Sequence, residues 1–234
     1  MINRLMVSLI VIMATVYATA QEISYKTYMR SALSGWTKKT KSAFFWDDKI
    51  AATSTLVPDK TLNKLLAHPR YHSVEEGLTE EGSELLSRYA PDKALDGKEY
   101  SAWVEGVSGP GIGEGIILLS KPGVTKIDIL PGLSTKKGYK ANNRPRELLL
   151  EVYEGPVMAT QTGLHMYLEK ILVSKVIKLR DTPKLQSFSL PQPDKYSHAP
   201  KGSRAYAIGL SIRSVYAGSH YNATCLSEVR LYQR

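Results

Sequence analysis

The chain has 234 residues, with 31 Lys and Arg against 22 Asp and Glu for a formal charge of +9, and a single cysteine. That length makes one domain with an appendage or two small domains, and one cysteine excludes an intramolecular disulfide. The basic surplus suits a glycan or other anionic envelope partner, or no charge-selected partner at all, since Lys and Arg are spread along the chain; without a basic helix or an interleaved basic and aromatic stripe, nucleic acid is not expected.

The first residues read as an export signal. Arg4 supplies a positive start, an apolar run from Leu5 to Ala18 is broken only by Ser8 and Thr15, and Ala18-Thr19-Ala20 has the small-x-small pattern that a signal peptidase reads. Cleavage before Gln21 is expected, and the absence of a cysteine at the cut argues against a lipoprotein anchor. No later stretch approaches the roughly 18 apolar residues of a membrane span, so a soluble, exported product, periplasmic or secreted, is expected.

Residues 21–77 differ in character from the rest of the chain and are read as an N-terminal extension of unknown role. Ser24 to Arg30 and Ser42 to Asp47 have strand character, and Asp59 to Ala67 reads as a short helix with Asp59 near its N-cap, ended by His68-Pro69. From Gly115 onward, short apolar runs are punctuated by Gly, Pro and Asn. Strands are predicted over 116–119, 126–130, 147–153, 170–179, 186–190, 205–212 and 227–232. Several alternate with period two, such as Leu148, Leu150 and Val152, or Ile208, Leu210 and Ile212. This is the pattern of an all-β antiparallel sandwich or barrel.

Few motifs point to chemistry. His68 and His72 lie four apart, but Pro69 prevents the regular helix that would aim both imidazoles at a metal, and no HExxH pattern is present. His165, His198 and His220 are isolated, and no Ser or Cys nucleophile has a readable His and acid partner. Asp47, Asp48 and His72 are the only acid-base candidates for an enzyme site between the extension and the sandwich. The run Gly109-Pro110-Gly111-Ile112-Gly113-Glu114-Gly115 leads into a strand and not a helix, so it is read as a tight inter-strand loop and not a phosphate cradle. Cys225 opens an apolar strand pattern and is expected to be a buried, inert thiol. Asn222-Ala223-Thr224 matches the N-glycosylation triplet, which in a bacterial host stays unmodified.

The most informative stretch begins at Tyr89. Ala94-Leu95-Asp96-Gly97, then Ser101-Ala102-Trp103-Val104-Glu105-Gly106, then the glycine run, are followed by the blocks 138–146 and 214–229. Asp96-Gly97 is a tight turn in which Asp96 braces the backbone or ligates a hard cation, and Trp103 starts a core strand. These blocks, in this order over residues 78–234, resemble the discoidin-like domain of bacterial secreted proteins. That domain is related to the coagulation factor five/eight type C fold and to the glycan-binding translocation module of streptococcal NAD glycohydrolase.

The resemblance implies a discoidin-like jelly-roll β-sandwich over residues 78–234 that binds a glycan or glycoconjugate, an anionic one among the candidates, as a monomer. It further implies that no NAD is bound, since the chain ends soon after Leu231 with no catalytic part to follow. A structural calcium is implied at Asp96, Ser101 and Glu228, against the alternative of an ion-free site held by hydrogen bonds. The family pattern has Thr where Ser101 stands and an acidic residue where Ala223 stands. Glycan contact is implied for Glu105, Asn142, Asn143 and Arg144, with Tyr139, Tyr216 and Tyr221 as stacking candidates. The bland alternative is that these side chains brace the loops, with Arg144 pairing Glu105. An interaction module for a protein or envelope component is the competing function.

Overall fold

A computed structural model describes residues 36–39, 41–45, 49–57, 87–159, 163–192 and 204–233. The export signal, the expected strand at 24–30, the expected helix at 59–67, and Asp47, Asp48, His68, His72 and His198 lie outside the described residues.

Twelve strands are described. They are β1 (Trp36–Thr37), β2 (Ser42–Phe45), β3 (Ile50–Ala52), β4 (Trp103–Val104), β5 (Gly115–Ser120), β6 (Val124–Pro131), β7 (Arg144–Ala159), β8 (Leu164–Tyr167), β9 (Lys170–Lys178), β10 (Gln186–Ser189), β11 (Arg204–Tyr216) and β12 (Cys225–Gln233). Helical structure is confined, among the described residues, to a 3-10 turn at Pro91–Ala94, a one-turn helix α1 (Gly138–Ala141) and little else. The larger sheet runs β1-β2-β8-β7-β11-β5-β3, with β9 also on β7; the smaller runs β10-β6-β12-β4, and every strand pairing is antiparallel. The fold is the expected all-β discoidin-like sandwich.

Alternation builds the core. Ile116 and Leu118 of β5, Leu148, Leu150 and Val152 of β7, and Ile208, Leu210 and Ile212 of β11 point from the large sheet toward Ile127, Ile129, Leu226 and Val229 of the small one. Burying such side chains at about 25 cal/mol per Å² is the main force joining the sheets. Trp103 is buried among them and donates its indole N–H to the Ser54 carbonyl at 3.0 Å.

β7 is far longer than the expected 147–153. Pro145 and Pro156 both fall where β11 is the strand alongside: β9 pairs β7 from Glu147 to Glu154, and β8 takes over at Val157. A proline on a strand flank without a ladder partner costs no hydrogen bond there.

Residues 36–57 join the large sheet through β1, β2 and β3. They cover the face turned away from the main core, where Trp36, Phe45, Met166 and Leu168 pack against Tyr153, Ile117 and Ala207. Trp36 meets Tyr153 edge-on at 6.3 Å between ring centres. Gly209 makes this possible, because a Cβ there would lie 2.9 Å from both rings.

Candidate functional site at the loop end

The loops that gather at one end of the sandwich are the glycine-rich one after β4, the segment between β6 and β7 that carries α1, the turn after β9, and the β11–β12 loop. Backbone hydrogen bonds lace them together. Asn143 N–H donates to the Ala223 carbonyl and Cys225 N–H to the Asn143 carbonyl, both at 3.1 Å, while Ser219, His220 and Tyr221 N–H groups donate to the Lys140 and Ala141 carbonyls. Such lacing fixes loops that have little regular structure of their own.

Glu105 is fully buried beneath the glycine run. One carboxylate oxygen accepts from Thr224 N–H at 3.1 Å and the other from Val107 N–H at 2.8 Å. Burial pushes its carboxyl above the usual range despite these two bonds. Gly111, at φ +64°, lets the loop close over it: a Cβ there would stand 2.5 Å from Glu105 Cγ. Glu105 is therefore a brace between the loops, as in the loop-bracing alternative, but without the pairing to Arg144 that the alternative included. Asn143 is a second brace, its amide donating to the Asn222 carbonyl at 2.6 Å and its amide oxygen accepting from Gly218 N–H at 2.7 Å. Asn142, half-buried, closes the α1 turn by donating to the Gly138 carbonyl at 2.9 Å.

Arg144 has a different partner, Asp181, which follows β9 in the sequence. Nε and Nη2 grip its two carboxylate oxygens at 3.0 and 2.8 Å, and Nη1 donates to the Asn142 and Ala217 carbonyls at 3.1 Å. Bidentate charge-assisted pairs of this kind are the strong ones. Tyr139 donates its hydroxyl to the same carboxylate at 3.0 Å, and the guanidinium lies 5.1 Å from the Tyr139 ring and 6.0 Å from the Tyr216 ring. The Arg144 hydrogen bonds hold the Asp181 carboxyl below its ordinary 3.8, and burial together with the bond to Asp181 raises the Tyr139 phenol. Tyr216 donates to the Leu179 carbonyl at 3.0 Å. The arginine side chain is 8% exposed but the aspartate 40%, so the carboxylate opens outward from a buried base.

That carboxylate lines an open cleft of about 740 Å³, shared with Tyr139, Arg144, Lys136, Lys140 and Ser219. A second cleft of about 880 Å³ adjoins it through Lys136, Lys140 and Ser219, and is lined further by Asn142 and by Tyr221, which is 62% exposed. Of the seven expected contact residues, Tyr139, Arg144, Asn142 and Tyr221 line these clefts, while Glu105, Asn143 and Tyr216 lie in the loops beneath without lining either, and Tyr139 and Tyr216 both stack on Arg144. Asp181 and the three lysines of 136–140 were not anticipated. The one signal for Asp181 was a lone acid in the Arg180-Asp181-Thr182-Pro183 turn.

Asp96, Ser101 and Glu228 also come together. The Ser101 hydroxyl lies 2.8 Å from an Asp96 carboxylate oxygen, Lys98 N–H donates to Asp96 at 2.9 Å, and Gly97, at φ +75°, turns its N–H toward Glu228. Glu228 is buried, its Oε2 has no hydrogen-bond partner, and burial raises its carboxyl. An orphaned, buried carboxylate oxygen beside a second carboxylate and a hydroxyl fits a hard cation. Among the described residues no three acidic, His or Cys side chains gather at one point, so backbone carbonyls would complete such a shell. Cys225 is buried as expected, its thiol pushed up to about 12 by burial.

Two antiparallel sheets with the loops converging at one end define a discoidin-like module. The chain belongs to the NAD glycohydrolase translocation F5/8 type C domain family, whose model matches residues 71–232. No curated protein matches it. Among solved structures it is similar to an arabinofuranosyltransferase from Mycobacteria (12% identity, 82% of this chain, TM-score 0.44), of which it spans only 11% of the length. It is also similar to a CBM32 module from a family 31 glycoside hydrolase of Clostridium perfringens (14% identity, 62% of this chain and 85% of that one, TM-score 0.37). A third is the Streptococcus pyogenes NAD+-glycohydrolase translocation domain (22% identity, 57% of this chain and 93% of that one, TM-score 0.31). Among the described residues no helix is long and apolar enough to cross a membrane.

Proposed function

We propose that this chain is an exported, non-catalytic carbohydrate-binding protein that takes a glycan into the cleft at its loop end. The observation that carries this is Asp181: a half-open carboxylate, fixed by a buried arginine and a tyrosine hydroxyl, at the edge of an open cleft. A carboxylate so fixed accepts sugar hydroxyls without paying again for its own ordering. Held below the ordinary carboxylate range, it stays ionised at neutral pH and is a poor proton donor. Export is supported by Arg4, the apolar run after it and Ala18-Thr19-Ala20. A structural calcium held by Asp96, Ser101 and Glu228, with backbone carbonyls, would supply charge neutralisation under the loops and no chemistry.

A glycan array probed with residues 21–234 is the test. Retention on a defined set of glycans, lost on Asp181→Asn, is expected. Failure to retain any glycan, alongside specific capture of one protein, sinks carbohydrate binding in favour of a protein-interaction module.

A further inference from the structure

Lys136, Lys137 and Lys140 fall within five residues and are all exposed or half-exposed at the loop surface. None of them makes an ion pair among the described residues, whereas Arg144 beside them is neutralised by Asp181. Lys136 and Lys140 line both clefts and Lys137 the second. The second cleft has no Asp or Glu in its lining; its floor is apolar, with Leu56, Val104, Leu133 and Ala223, and the exposed Tyr221 stands among its walls. The first cleft is the more polar of the two and carries Asp181 and Glu99.

We propose that the glycan is an acidic oligosaccharide spanning both clefts, with Lys136, Lys137 and Lys140 as the subsite for its carboxylate or sulfate groups. This rests on carbohydrate binding at the same loop end. The chemistry of the two clefts divides the ligand. A neutral, hydroxyl-rich unit suits the Asp181 side, where the fixed carboxylate accepts sugar hydroxyls and would compete with an anion for the shared lysines. An acidic unit suits the lysine side, where its C–H face lies on the apolar floor or against Tyr221 and its anion meets Lys136 and Lys137, which make no ion pair among the described residues, and Lys140, which also feels the Asp181 charge. The shared lysines and Ser219 make the two sides one continuous surface. An anionic phospholipid meets the lysines equally well but offers no hydroxyl-rich unit to Asp181, so it fits only half of the surface.

Calorimetric titration of residues 21–234 separates these cases. The probes are oligogalacturonate and hyaluronan oligosaccharides (carboxylate), a heparin-derived oligosaccharide (sulfate), neutral dextran and galactomannan oligosaccharides, and vesicles containing phosphatidylglycerol. The variant is the triple Lys136→Gln, Lys137→Gln, Lys140→Gln, whose side chains lie at the surface and whose melting midpoint should match the parent. Binding of at least one acidic oligosaccharide is expected, weakening as salt is raised and falling about tenfold or more in the triple variant. Neutral oligosaccharides that bind as tightly as acidic ones, unchanged in the triple variant, would overturn the lysine subsite and leave carbohydrate binding standing. Binding to the vesicles and to no oligosaccharide would overturn both, as would binding to none of the probes.

Discussion

The Arg144 guanidinium uses all three nitrogens inside the protein, two on one carboxylate and one on two carbonyls. A lysine in its place offers a point charge that cannot make the fork. Arg144→Lys should therefore cost about 1–3 kcal/mol in urea unfolding. The pH dependence has a definite sign. The Asp181 carboxyl is lowered from 3.8 in the folded chain, so its stabilisation is present above that unfolded value and is lost as pH falls through the lower folded one. Asp181→Asn should be less stable than the parent at neutral pH, and the gap should close in acid below about pH 3.8. A gap that persists there would mean the contribution is packing and not charge. In the sequence Arg144 was legible as a loop residue, but its partner was not: 37 positions separate it from Asp181, and only the return of β9 along β7 brings them together.

At the scale of elements, alternation made the central strands legible, because period two and burial on one face are the same fact seen twice. It failed where the chain serves two faces. Ile117, Tyr153 and Ala207 lie out of phase with the core, yet they are buried under Trp36, Phe45 and Met166, and nothing local to β7 or β11 announces a covering layer. The junction of that layer is Gly155, where an added Cβ would overlap the Tyr167 carbonyl. Gly155→Ala should cost about 1–3 kcal/mol by forcing β7 and β8 apart, and Trp36→Ala about 3–5 kcal/mol by emptying the site over Gly209. If the outer layer is part of one cooperative unit, both variants lower the midpoint of a single thermal transition. A new early transition with the main midpoint unmoved would show instead that β1, β2 and β8 melt by themselves.

For the molecule as a whole, the question is how it tolerates Glu228, a buried carboxylate that among the described residues has an unpartnered oxygen and is offset by Arg230, 3.7 Å away, and the Gly97 N–H. Burial raises this group above 4.5, so the folded chain holds the proton more tightly than the unfolded one. The resulting stabilisation is full below 4.5 and is lost as pH rises through the higher folded value. At neutral pH the ionised group is then a liability unless a cation meets it. Calcium binding only the folded chain would raise stability by about 2.7 kcal/mol at a hundredfold excess over its dissociation constant. At neutral pH the melting midpoint of the parent should rise with calcium and fall with chelator, while Glu228→Gln loses the calcium increment. In chelator that variant should melt at or above the parent, since it removes a buried charge, and the advantage should vanish in acid below about pH 4.5. A parent that melts identically with calcium and chelator, together with a Glu228→Gln variant that melts higher in both, would mean that the carboxylate is buried without an ion. Its cost would then be offset by the sandwich core alone.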